Sequence, residues 1–285
     1  MAITINTNLG SLNAQRRLST TTGELRQSFE RLSSGLRIVH ARDDAAGLAI
    51  ADSLRSDSHI ASVAIRNAND GVSLISIADG ALDQMSSVLT RMAELAEQSA
   101  NGTISNVQRS ALQLEFTALG SEIERIATTT TFNNLHLLSG GQLIELQVGF
   151  DSSANSQIGF SGITGTLSSI GLASSGSTLR YSVSANTDSL SQDAALSALD
   201  AVKLAITSLT TSRGTLGAAE SRLNVAITNL SVARENFQAA ESQIRDVDVA
   251  QESANLTRLN ILQQAGAAIL SQANQQPALA LSLLQ

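Results

Sequence analysis

The chain of 285 residues contains no cysteine and no tryptophan, one proline, one tyrosine and six phenylalanines. Without cysteine it has no disulfides, no thiolate zinc site and no thiol nucleophile. Aromatic residues make up 2% of the chain, which argues against a β sandwich, whose strands draw on aromatic and β-branched side chains. Charge is scarce too: 15% of residues are charged, fewer than a disordered chain normally carries. The net charge of −7 speaks against nucleic acid as a partner, because phosphate binding needs a basic surface. What is abundant is aliphatic: hydrophobic residues reach 42%, supplied mainly by Ala, Leu, Ile and Val. That composition, with few helix breakers, favours long helices packed through small and aliphatic side chains.

The ends of the chain lack charge altogether. None occurs before Arg16 and none after Arg258. Met1 to Asn6 lack the basic segment and apolar core of a secretory signal, so a chain leaving the cell would need another route. No uninterrupted apolar run is long enough to span a membrane. Gln263, Gln264, Gln272, Asn274, Gln275 and Gln276 make the C-terminal tail too polar for hydrocarbon. Both tails therefore read as helices that bury an apolar face against protein. Leu259, Leu262, Gly266, Ile269 and Ala273 step 3, 4, 3, 4 along one face, and Ile5, Leu9 and Leu12 form the N-terminal counterpart.

The interior is more regular. Val202, Leu209, Leu216, Leu223, Leu230, Phe237 and Ile244 recur at every seventh residue, each but the last followed three residues later by Ala or Ser. A large residue at one seam position and a small one at the other describes a coiled coil with close helix approach. A continuous helix over 194–246 would be roughly 80 Å long. In the N-terminal half, Leu25, Phe29, Leu32 and Leu36 step 4, 3, 4. Asp43-Asp44 reads as an N-cap pair for a second helix running to Ala100. Asn101-Gly102 is a turn signal, and Leu112, Phe116, Leu119, Ile123 and Ile126 mark a third helix. Residues 142–150 and 157–160 read as the strands of a hairpin. The Ser/Gly-rich stretch from 161 to 191 reads as a solvent-facing tip. The expected fold is mainly α: a long antiparallel helical bundle or coiled coil, with a small β-hairpin region at one end and terminal helices forming an inner coiled coil.

Chemistry is hard to find. His40, His59 and His136 are the three histidines, and they lie in different elements without metal-ligand spacing. Helix capping explains Asp43-Asp44 more simply than paired acids would. No phosphate loop is present. The chain reads as a non-enzyme that needs no cofactor or metal.

Three groups of residues resemble a known family. Arg31-Leu32-Ser33-Ser34-Gly35-Leu36-Arg37-Ile38 with Asp43-Asp44-Ala45-Ala46-Gly47 resembles the N-terminal signature of bacterial flagellins. Gln98-Ser99-Ala100-Asn101-Gly102-Thr103 is similar to a second flagellin string. The third is Ile261-Leu262-Gln263-Gln264-Ala265-Gly266, together with Gln272-Ala273-Asn274-Gln275 and the ending Leu281-Ser282-Leu283-Leu284.

The resemblance covers about 1–140 and 193–285. It implies a subunit of the flagellar filament, exported unfolded by the flagellar type III apparatus and assembled at the distal tip beneath a cap, hence extracellular. The implied layers are an inner one from 1–42 and 247–285, and a surrounding one from 43–193 and 194–246, without outer domains. The implied partners are further copies of the chain, an export chaperone, and the cap and junction proteins; nucleic acid and membrane are not among them. The residues assigned to polymerisation are Ile5, Leu9, Leu12, Leu259, Leu262 and Ile269. Arg91, Leu95 and Glu115 fall on positions flagellins use to bind a Toll-like receptor, although a structural salt bridge with Leu95 packed in the bundle fits the same residues. Leu281, Leu283 and Leu284 resemble the feature read by inflammasome sensors. Two alternatives stay open on sequence alone: a hook–filament junction protein, and a secreted signalling ligand.

Overall fold

A computed structural model describes residues 7–161, 163–174, 177–185 and 187–282. The fold is mainly α. Its helices are α1 (Leu9–Ser34), α2 (Ala45–Ala100), α3 (Asn106–Thr129), α4 (Asp188–Arg245) and α5 (Val249–Ser282). Two small antiparallel hairpins stand between α3 and α4: β1 (Thr131–Phe132) with β2 (Leu135–His136), and β3 (Leu143–Gln147) with β4 (Gln157–Ser161). The first turns through Asn133 and Asn134, both at positive φ (47° and 63°), as a two-residue hairpin turn requires.

Side chains set the helix ends. The Asn8 carboxamide accepts the Ser11 N–H at 3.0 Å at the start of α1. Gly35, at φ 72°, ends α1 in the left-handed conformation. Leu36 therefore leaves the helical face on which its spacing placed it. It forms a β-bridge with Asp246 instead. The Asp43-Asp44 pair divides its work: the Asp44 carboxylate caps α2 by accepting the Gly47 N–H at 2.9 Å, whereas Asp43 serves the connector before it.

The chain forms two compact units, one from Met1–Ser58 with Glu235–Gln285 and one from His59–Arg234. The central unit packs α2, α3 and α4 around Leu82, Met85, Leu89, Phe116, Ile123 and Leu209. Along α4, Val202, Leu209, Leu216, Leu223 and Leu230 are buried; Phe237 and Ile244, which belong to the terminal unit, are half-buried. An 18-residue window of α4 reaches a mean hydropathy of 1.2, long and apolar enough for a membrane span by composition. Val202, Leu209, Leu216, Leu223 and Leu230 of this helix are instead core of the bundle.

The Ser/Gly-rich stretch is not a solvent-facing tip. Ile163, Leu167, Ile170, Leu172 and Val183 are buried in the central core, and the stretch runs along α3 as a strap. Gly165 N–H donates to Leu138 O (2.7 Å), Leu167 N–H to the Glu124 carboxylate (2.9 Å), and Val183 N–H to Gln113 Oε1 (2.7 Å). Leu179 lies against Gly120, where a β-carbon would come within 2.6 Å of its Cδ1. Polar side chains on α3 thus satisfy an irregular backbone that its own Ile, Leu and Val pull into the core. The β3–β4 hairpin sits on α2, with Asn67 Nδ2 donating to Gln147 O at 3.0 Å and Leu146 against Gly71.

Candidate assembly and recognition surfaces

In the terminal unit α1 and α5 run antiparallel. Asn8 Nδ2 donates to Ala273 O at 2.7 Å, Ser11 Oγ to Asn274 Oδ1 at 2.6 Å, and Gln263 Nε2 to Thr22 Oγ1 at 3.5 Å. Among the buried and half-buried positions on α1, Ser11, Ala14, Leu18, Thr21, Leu25, Ser28 and Leu32 step 3, 4. Those on α5 include Leu256, Leu259, Gln263, Gly266, Leu270 and Ala273, with Glu252 and Asn255 before them. This corrects the expected face. Leu259, Gly266 and Ala273 turn inward, but Leu262 and Ile269 are exposed, as are Leu9, Leu12, Phe29 and Ile261. The paired helices therefore carry apolar residues on both sides, with only one side covered. Ile5, Leu283 and Leu284 lie outside the described residues, as does the side chain of Leu281.

The connector after α1 is held by its own motif. Gly35 O accepts the Val247 N–H (3.0 Å), and the Arg37 N–H donates to Arg245 O (2.6 Å). The Arg37 guanidinium reaches Ile244 O at 2.5 Å, placing a cation on the C-terminal carbonyls of α4. The buried Asp43 carboxylate accepts the backbone N–H groups of His40 (3.1 Å) and Val39 (3.3 Å) and the Gln27 amide (2.9 Å). The His40 N–H holds the Asp43 carboxyl below its ordinary value, aided by the Val39 N–H and the Arg31 charge and opposed by burial.

In the central unit, the Arg91 guanidinium bridges Glu115 on α3 and Glu94 on its own helix, both at 2.9 Å. Those hydrogen bonds, Glu94 first, raise the Arg91 pKa further. Leu95 is 1% exposed and belongs to the core, so it offers no surface to a partner. Sequence reasoning missed the residue that organises this end of the unit. Arg109 is 1% exposed, and it donates to Ser99 O (2.9 Å), Asn101 O (3.0 Å), Asp188 O (3.1 Å) and Asp188 Oδ1 (3.3 Å). Ser99 Oγ adds a bond to Val183 O and Gln192 Nε2 one to Ala100 O. The C-terminal carbonyls of α2 are thereby capped from α3 and α4 at once. An arginine three residues into α3 after a capping signal was the one hint, and such a residue is ordinarily solvated. Among the described residues, no group of three acidic or histidine side chains is placed to hold a metal.

Comparison with known proteins finds matches at both ends of the chain. The bacterial flagellin N-terminal helical region matches residues 5–142, and the bacterial flagellin C-terminal helical region matches residues 199–284. A flagellin of Halalkalibacterium halodurans is 44% identical over 282 residues, covering 99% of both chains.

The chain belongs to the bacterial flagellin family. A flagellin of Listeria monocytogenes is 35% identical over 286 residues, covering 98% of this chain and 99% of its own. A crystal structure of Bacillus cereus flagellin shares 29% identity over 58% of this chain and 88% of its own, with a TM-score of 0.47. As a flagellin the chain is a structural filament subunit serving motility, and full-length similarity to flagellins favours this over the junction-protein alternative.

Proposed function

We propose that the subunit polymerises through the uncovered faces of α1 and α5, which pack on the same helices of neighbouring copies to form the filament's inner layer. The observation carrying this reading is that Leu9, Leu12, Ile261, Leu262 and Ile269 are exposed on two helices with long charge-free segments. Two paired helices bury too little apolar surface to close a core of their own. Burial between copies completes it and makes helix order concentration-dependent. On this reading residues 1–42 and 247–285 supply the inner layer and 43–246 the surrounding one. Export follows the type III flagellar route to an extracellular filament, and the transient partners are an export chaperone, the cap and the junction proteins. The role is mechanical, without catalysis. Seeded elongation tests it: Leu12→Asp and Ile269→Asp are expected to leave the helical content of the monomer intact and abolish growth from filament seeds. Normal elongation by both would refute it.

A second reading rests on the exposed Arg91–Glu115 bridge. A Toll-like receptor would be recognised through these two side chains and the adjoining surface, with Leu95 acting from within by fixing α2. Receptor-reporter assays on Arg91→Ala and Glu115→Ala test this, and full signalling by both would refute it. Leu281, Leu283 and Leu284 are the corresponding candidates for inflammasome sensors.

A further inference from the structure

The turn between α2 and α3 carries a reactive pair that the fold does not use. Asn101 is the one asparagine of the chain followed by glycine. Asn101, Gly102 and Thr103 are all exposed. The Asn101 N–H donates to Gln98 O (3.2 Å), and its carbonyl accepts the Ile104 N–H (3.2 Å), closing a tight turn. The side chain folds forward as well, because its carboxamide oxygen accepts the Thr103 N–H at 3.2 Å. That bond draws Asn101 Cγ over the peptide that joins it to Gly102. Among the described residues the Gly102 N–H meets no acceptor, and glycine has no side chain to shield its nitrogen.

A nucleophile, a carbonyl carbon and a donor to the oxygen that gains charge thus stand together in one turn. Once the Gly102 amide gives up its proton, its nitrogen can attack Asn101 Cγ. The new N–Cγ bond closes a succinimide ring while the Thr103 N–H stabilises the oxyanion on Oδ1. The Cγ–Nδ2 bond breaks, and Nδ2 leaves as ammonia with a proton that balances the one Gly102 released. Water then opens the ring at either carbonyl. One opening gives aspartate; the other gives isoaspartate, whose main chain runs through the former side chain. Asp70-Gly71 and Asp79-Gly80 do not share this setting, since both lie inside α2, where the glycine N–H belongs to the helix ladder.

We propose that Asn101-Gly102 is a built-in deamidation site, and that isoaspartate formed there loosens the polar cluster around Arg109, giving each subunit a chemical lifetime. Asn101 O accepts from Arg109 Nη2 (3.0 Å), and that guanidinium is buried. Isoaspartate reroutes the chain at this carbonyl, so the turn closed by the Ile104 N–H is lost and the acceptor of Arg109 is displaced. Aspartate leaves the backbone unchanged. It adds only an exposed carboxylate to a cavity already lined by Glu94 and Glu97.

Ageing the full chain at physiological temperature tests this. The Glu-C peptide 98–115 is followed by mass spectrometry, and isoaspartate is read by isoaspartyl methyltransferase labelling. Isoaspartate should form at Asn101 and not at Asp70 or Asp79, at a rate within about tenfold of that in the chain unfolded in guanidinium chloride. A larger slowing in the folded chain would mean that the turn protects the site, and would overturn the proposal. Gly102→Ala should slow the reaction at least about tenfold without lowering the melting temperature. Gly102 lies outside the positive-φ region, and the added β-carbon would meet only Gln192 Nε2 (3.0 Å), the end of a flexible side chain. An unchanged rate in Gly102→Ala would exclude attack by the Gly102 nitrogen. Chain enriched in isoaspartate should melt about 3 °C or more below fresh chain, whereas Asn101→Asp should melt with the fresh chain. Equal melting of aged and fresh chain, or an equal drop in Asn101→Asp, would overturn the link to Arg109.

Discussion

Replacing Arg109 tests whether the α2–α3 junction is a dehydrated polar latch. Its guanidinium is 1% exposed and meets three backbone carbonyls and one carboxylate oxygen at 2.9–3.3 Å. The ion pair contributes little by itself, because the Asp188 side chain is 73% exposed and solvent screens it. The larger part comes from the carbonyls of Ser99 and Asn101 at the negative end of α2. A charged donor there contributes more than a neutral one, and its removal leaves buried acceptors unpaired. Arg109→Ala should therefore cost about 3–5 kcal/mol, the range for breaking a buried charged cluster from one side. For a unit of this size that lowers the melting temperature by about 8–15 °C. Lysine offers one compact charge in place of a fork that points three ways, so Arg109→Lys should recover only part of the loss. Thermal and urea unfolding of the monomeric full-length chain, followed by circular dichroism, measures both. A loss below about 1 kcal/mol for Arg109→Ala would mean that water satisfies these carbonyls freely, and the latch reasoning would be wrong.

Other perturbations probe the remaining layers. Leu223 is fully buried beside Gly71, so Leu223→Ala should destabilise the central unit by about 3–5 kcal/mol, read by urea unfolding. Leu223→Asp should be worse, and an unchanged melting curve for it would place the seam in solvent. Deleting Leu259–Gln285 uncovers Ala14, Leu18 and Thr21, so α1 should lose helicity and seeded growth should stop. The melting of the central unit should persist. At the connector, the depressed carboxyl of Asp43 contributes stability fully present above its unfolded value of 3.8, and that stability is lost as pH falls through the lower folded value. Acid titration of the terminal helices should show this step in the wild-type chain and not in Asp43→Asn; identical curves would remove Asp43 from the account.

Periodicity was the most legible feature of the sequence, since a seven-residue ladder of Val and Leu can hardly avoid being a buried helical stripe. It misled where a backbone conformation intervened: Leu36 continues the 4, 3, 4 spacing, yet Gly35 turns the chain left-handed before it. On α5 the spacing 259, 262, 266, 269, 273 and the observed 256, 259, 263, 266, 270, 273 are both helical. Choosing between them depends on where α1 lies, which the sequence of α5 does not contain. Composition failed in the strap. Its many Ser and Gly suggested solvent, but one Ile, Leu or Val every few residues is enough to anchor a chain when α3 offers Gln113 and Glu124 to its free N–H groups. Arg109 was illegible because nothing local distinguishes a buried arginine from a solvated one; its acceptors come from the end of α2, the turn after it and α4, 8 to 79 residues away.

The same reasoning explains why Arg91, Leu95 and Glu115 did not behave as a set. Arg91 and Leu95 are one turn apart, but Leu95 falls on the stripe of Met85, Leu89 and Met92 that faces the core, while Arg91 reaches round to Glu115. A partner that reads this region therefore meets a surface whose shape the core determines. Leu95→Ala would act on recognition by letting α2 shift against α3, with a stability loss of about 3–5 kcal/mol accompanying any loss of binding. Glu115→Gln would act on recognition alone, because its bridge to Arg91 is exposed and contributes little to folding. A direct contact and an indirect support thus separate by whether stability falls with binding. If Leu95→Ala weakened binding without lowering the melting temperature, Leu95 would have to reach the partner itself, and the buried packing assigned to it would be wrong.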